Sequence, residues 1–210
     1  MEFIKELYWS EKHCEAQSRH QLKSKIQLME EMLIFYKDLI EKQNKDETNL
    51  ELCEFATILI HVKIFKTIYC NIDLLKKGHY NEFQSIFRDA FELIFLSQYI
   101  IKNPEKADSW LDGEQISHGP VANSLKLPQE IREIYASLCD YTHPNMKSAA
   151  KNMVLSKRYG EFDFYFISIF QNKLAKKLII MQIYFTFLAI NKFFDCFKNF
   201  KILIKTMKSN

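Results

Sequence analysis

Apolar positions recur at helical spacing over most of the chain. Leu22, Ile26, Met29, Leu33, Tyr36 and Ile40 alternate steps of four and three, and Leu28, Met32, Phe35 and Leu39 form a second row beside them. Two adjacent rows make the wide apolar face that a bundle helix buries. The spacing predicts a first long helix from about Glu15 to Gln43, ended by the polar run Asn44–Asn49. A second is predicted from about Leu50 to Lys77. Ile58, Val62, Phe65, Tyr69 and Ile72 make one of its rows, and Ile60, Ile64 and Ile68 another. Apolar groups on nearly every side of this helix predict a central place. Gly78 follows it, and Lys76 and Lys77 fill the last turn, where cations suit the helix dipole.

A third helix is predicted from about Tyr80 to Lys102, and Pro104 opens a short one reaching Leu111. Residues 112–127 hold Gly113, Gly119 and Pro120 and read as an irregular loop. The next helix runs from about Pro128 to Tyr141, because Pro144 blocks extension. Residues 145–160 are polar and basic and read as irregular. Phe162, Phe164 and Phe166 then alternate with Asp163 and Tyr165, the pattern of a short strand or of a helix start. The last helix is predicted from about Ile167 to Lys205. The expected architecture is therefore all-α. It is one domain, 1–210, a bundle of about five to six helices with an irregular basic segment before a long C-terminal helix.

Composition narrows this reading. Gly and Pro number four each, too few for a turn-rich β-sandwich or barrel, while 18 Phe supply a core. No glycine-rich phosphate loop occurs. The five cysteines, 14, 53, 70, 139 and 196, are scattered and form no C-x-x-C pair. They read as reduced thiols, not as a disulfide framework or zinc site, and predict a cytoplasmic protein. Met1–Trp9 is too charged for a signal peptide. The longest uncharged run of the C-terminal third, Leu178–Asn191, has 14 residues, short of the roughly 20 that a membrane span needs. That segment reads as a core helix and not a transmembrane one, with contact to a membrane surface as the alternative.

Charge is unevenly spread. Residues 1–142 carry 17 Lys/Arg against 23 Asp/Glu, net −6, whereas residues 143–210 carry 12 against 3, net +9. A basic C-terminal third suits an acidic partner such as RNA, or is simply a Lys-rich solvated surface.

Two segments carry candidate chemistry. Arg88 and Glu92 lie four apart, on one face, within Ile86–Leu96. A charged pair in so apolar a helix needs partners, as a structural tie or as the lining of a polar pocket. His143 stands before Pro144, and Asp140 precedes it by three. A carboxylate so placed orients an imidazole for acid–base work, although the histidine could equally cap its helix. Asp140-x-x-His143 has no second copy, so neither a di-iron site nor any other metal or cofactor is expected. Among the other histidines, His61 reads as core, His79 as following a helix end, and His13 and His20 as exposed. His118 lies in the loop, able to swing toward a site. Lys147, Lys151, Lys157 and Arg158 could hold a phosphate backbone.

Arg88-x-x-x-Glu92, Trp110-x-x-Gly113 and the Tyr135–Pro144 helix end resemble a group of uncharacterised bacterial all-α proteins, over roughly Leu50–Asn145. That group is similar to the HEPN superfamily, helical bundles that include toxin and phage-defence ribonucleases. The resemblance implies metal-independent RNA cleavage by an Arg/His pair meeting across a dimer. Here Arg132 stands eleven residues before His143, beyond the family's short spacing, so Arg88 would have to reach His143 in space. The expected function is a defence- or toxin-type RNA-binding protein that could cleave RNA. His143 would take the 2′-hydroxyl proton, oriented by Asp140, and Arg88 would stabilise the developing charge, held by Glu92. RNA and a second copy of the chain are the expected partners. The competing expectation is a non-catalytic interaction or dimerisation module that uses its apolar faces to hold a protein partner.

Overall fold

The computed structural model describes residues 2–46, 50–142, 153–155, 162–164 and 168–197. Side chains are excepted at 45–46, at 140–142 and in the two short strands. Eight helices lie among them: α1 Glu2–Gln21, α2 Lys23–Asp46, α3 Leu52–Lys77, α4 Tyr80–Lys102, α5 Glu105–Leu111, α6 His118–Ser124, α7 Gln129–Thr142 and α8 Asn172–Cys196. The class is all-α, as the periodicity predicts, but the expected count of five to six helices is wrong in two places.

The first error is at the N-terminus. Helix begins at Glu2, and the chain bends at Leu22 into two helices. Hydrogen bonds from Leu22 N–H to Ser18 O and from Ile26 N–H to Leu22 O carry the ladder through the bend. Of α1 only Cys14 and Ser18 are buried, so the pattern offers no apolar stripe by which to detect it. The second error is the loop predicted over 112–127, which contains α6. Its glycine and proline mislead. Gly119 and Pro120 occupy the first turn, where the missing proline N–H costs nothing. Part of the irregular basic segment is also structured: Met153–Leu155 (β1) pairs antiparallel with Phe162–Phe164 (β2), Val154 opposite Asp163.

The core forms where the rows predict it. All six residues of the Leu22–Ile40 row are buried, and Ile60, Ile64 and Ile68 have no exposed surface. The neighbouring row is only a flank, with Leu28 and Phe35 exposed. α3 is central, packed along α4 on one side and against α1, α2, α5 and α8 on others. Phe83, Phe87 and Phe91 of α4 are buried in a ladder that continues onto Phe185 of α8. Each such ring contributes roughly 1.5–3 kcal/mol on burial. α6 and α7 pack on α4.

Gly78 ends α3 in the left-handed region, φ 84°, with His79 N–H bonded to Leu74 O. A Cβ there would meet Cys14 Sγ at 3.0 Å, so the turn also lets α1 approach. At the end of α6 the same conformation falls on a non-glycine, Lys126, φ 51°.

α8 is long and apolar enough to cross a membrane by length and composition. Its inner face, including Leu178, Gln182, Phe185, Ala189 and Phe193, is buried in the bundle, while Ile180, Tyr184 and Phe187 are exposed.

Candidate functional site

α4 turns Phe83, Phe87 and Phe91 inward and sets Arg88 and Glu92 against Tyr135 of α7, while Asp89 is exposed. Arg88 and Glu92 are about a quarter and a third exposed, so they sit at a helix junction and not in the core. Arg88 Nε donates to Glu92 Oε1 at 2.9 Å. The Tyr135 hydroxyl, from α7, donates to the same oxygen at 2.8 Å, and the Arg88 guanidinium lies 5.7 Å from the Tyr135 ring centroid. Burial works against charge on Arg88, but the hydrogen bond and charge of Glu92 outweigh it and raise its pKa. Burial, then the bond to Glu92, holds the Tyr135 phenol far above its usual range. The tyrosine is therefore a donor that keeps its proton. Oε2 of Glu92 has no hydrogen-bond partner among the described residues.

His118 completes the group. Its ring stacks on Tyr135 with centroids 3.8 Å apart and planes 25° from parallel, and Phe91 flanks both. Arg132 sets this arrangement by joining α7 to the end of α6, donating to Ala122 O, Leu127 O and Asn123 Oδ1. Burial lowers the pKa of His118; Glu92 opposes the shift, and Arg132 and Arg88 add to it. The imidazole is neutral, so it holds one donor and one acceptor. Both ring nitrogens are shut off from solvent and have no hydrogen-bond partner among the described residues. A buried polar group left unpaired costs about 1–3 kcal/mol.

Beside these residues lies a cleft of about 250 Å³ between α3, α4, α5 and α6. Glu92 and His118 line it with Asp89, Lys63 and Gln115; Trp110, Leu93 and Ile116 give it apolar walls. Among the described residues no group of three or more His, Cys, Asp or Glu side chains is placed to hold a metal.

The middle of the chain matches a family of unknown function, DUF5677, over residues 54–130. No curated protein and no solved structure matches the chain. The matched span contains Arg88, Glu92, Trp110, His118 and every residue that lines the cleft. Tyr135 and the end of α7 lie beyond it.

Of the residues that the sequence singles out, Arg88 and Glu92 come together, and with them Tyr135 of the Tyr135–Pro144 helix end. Asp140 falls in α7, one residue past Cys139, but its side chain lies outside the described residues. His143, Lys147, Lys151, Lys157 and Arg158 lie outside them altogether. His118 stands between Ser117 and Gly119 and carries no periodic signal in the sequence. His13 and His20 are exposed. His79 bonds Glu11 at 2.8 Å, tying α1 to the start of α4.

His61 is core, as expected. It has no exposed surface, accepts from the Tyr36 hydroxyl at Nδ1, and donates from Nε2 to Ser97 Oγ at 3.2 Å. That direction follows because Ser97 spends its own proton on Ile94 O. Burial pushes the His61 pKa down to about 3. The group is a satisfied, neutral spacer between α2, α3 and α4, with no access for a substrate.

Proposed function

We propose that this is an RNA-binding protein of the defence or toxin type that works at the α4–α6–α7 junction, with metal-independent cleavage as the finer form of that reading. One observation carries it: Arg88, Glu92, Tyr135 and His118 converge beside a cleft, and Oε2 of Glu92 is an acceptor with no partner among the described residues. Aromatic and polar groups around a small cleft are the equipment that splays and holds an unpaired base. The basic C-terminal third supplies long-range attraction for the backbone. For cleavage, His143 would act on the 2′-hydroxyl, and Arg88, held by Glu92, would stabilise the developing charge.

The test is a gel of mixed cellular RNA with purified protein in EDTA, beside Arg88→Ala, His118→Ala and His143→Ala. Cleavage by wild type that is lost in Arg88→Ala and in at least one histidine variant supports the enzyme. Retarded but intact RNA supports binding alone. RNA neither bound nor cut by folded protein overturns the proposal.

The exposed Ile180, Tyr184 and Phe187 of α8, at helical spacing, favour a second reading as an interaction module. Under it, Tyr184→Glu would abolish partner binding or self-association, and Arg88→Ala would leave it intact.

A further inference from the structure

The cleft has a chemistry of its own. Its carboxylates, Asp89 and Glu92, lie one turn apart on α4 and both line it. Oε1 of Glu92 is taken by Arg88 and Tyr135, which fixes the carboxylate and leaves Oε2 as an unspent acceptor. Two carboxylates repel a phosphate, so this is no seat for the RNA backbone. What suits it is a flat group that presents hydrogen-bond donors side by side.

Resting on the RNA-binding reading above, we propose that the cleft is a pocket for a single unpaired guanine. Among the four RNA bases, guanine alone offers two adjacent donors on its pairing edge, N1–H and the N2 amino group. These match Glu92 Oε2 and Asp89. Adenine and cytosine set a ring-nitrogen lone pair beside their amino group, and uracil flanks its one N–H with two carbonyls; each turns an acceptor toward a carboxylate. Guanine O6 and N7 need donors, and the cleft supplies them in the Lys63 ammonium and the Gln115 amide. Trp110, Leu93 and Ile116 give the apolar contact that a flat heterocycle takes up. The volume, about 250 Å³, lies just below the roughly 300–1,000 Å³ of ordinary small-molecule sites and suits one base.

The experiment measures binding of the full chain to a 12-nucleotide oligouridine and to the same strand with one central guanosine, with 5′-GMP, 5′-AMP, 5′-CMP and 5′-UMP as competitors. The guanosine strand should bind at least about tenfold tighter, the lower range of one bidentate base contact, and GMP alone should compete. Asp89 is exposed and Glu92 is not, so Asp89→Asn tests the pocket with little risk to folding. It should remove most of the preference while oligouridine binding stays unchanged; Glu92→Gln, which also loosens Arg88, should lower both the preference and oligouridine binding. Equal binding of both strands overturns the guanine pocket and leaves the RNA reading standing. GMP binding with no RNA binding keeps the pocket and overturns the RNA reading. A strand preference that survives both substitutions overturns the placement.

Discussion

The Tyr135 hydroxyl donates to Glu92 Oε1 at 2.8 Å across 43 residues of chain. This bond joins α7 to α4 at the one oxygen already held by Arg88, so the three side chains act as a unit. Tyr135→Phe should lower stability by about 1 kcal/mol, a modest value for a bond to a partly exposed charge. Combined with Glu92→Gln, the losses should fall short of additive by about 0.5 kcal/mol or more. Strict additivity in urea unfolding would show that the bond does not form in solution.

His118 has stacking partners but no hydrogen-bond partner among the described residues, an arrangement that stability alone would not favour. His118→Phe keeps the stack on Tyr135 and removes two unpaired polar atoms, so it should raise stability by about 1 kcal/mol. The same change should weaken RNA binding. A variant that is both less stable and fully able to bind RNA would identify His118 as a structural residue.

His61 gives a pH dependence of defined sign. Its folded pKa is pushed down to about 3 by burial, whereas an unfolded histidine titrates near 6.5. Below about pH 6.5 the unfolded chain binds a proton that the folded chain refuses. Stability complete above that pH is therefore lost as pH falls towards 3, by about 1.4 kcal/mol per unit once titration is under way. His118, also lowered by burial, acts in the same direction. Urea unfolding should show a loss of about 2 kcal/mol between pH 7.5 and 5, and a smaller one in His61→Gln. An unchanged loss in the variant would assign the dependence elsewhere.

The two left-handed helix ends predict opposite effects. Gly78→Ala forces a side chain into the αL region and against Cys14 Sγ, and should cost about 1–2 kcal/mol or more. Lys126→Gly relieves the same strain after α6 and should stabilise by up to about 1 kcal/mol. Melting temperatures moving in the same direction would contradict this account.

Helices that bury a stripe can be read from the order of residues. The Leu22–Ile40 and Ile60–Ile68 rows specified α2 and α3 and most of their core faces, because burial of one face imposes a period that survives in one dimension. Gly78 marked the end of α3 for a local reason: the turn needs a positive φ. α1 before Glu15 and α6 are not legible, since one buries almost nothing apolar and the other has glycine and proline in a first turn that tolerates both. Arg88 and Glu92 could be paired from their spacing alone, because four residues make one helical turn. Packing of the helices brings Tyr135 and His118 to them and opens a cleft beside Trp110. Those contacts depend on how α6 and α7 lie on α4, and Arg132 fixes that placement through backbone carbonyls, which have no letter in the sequence.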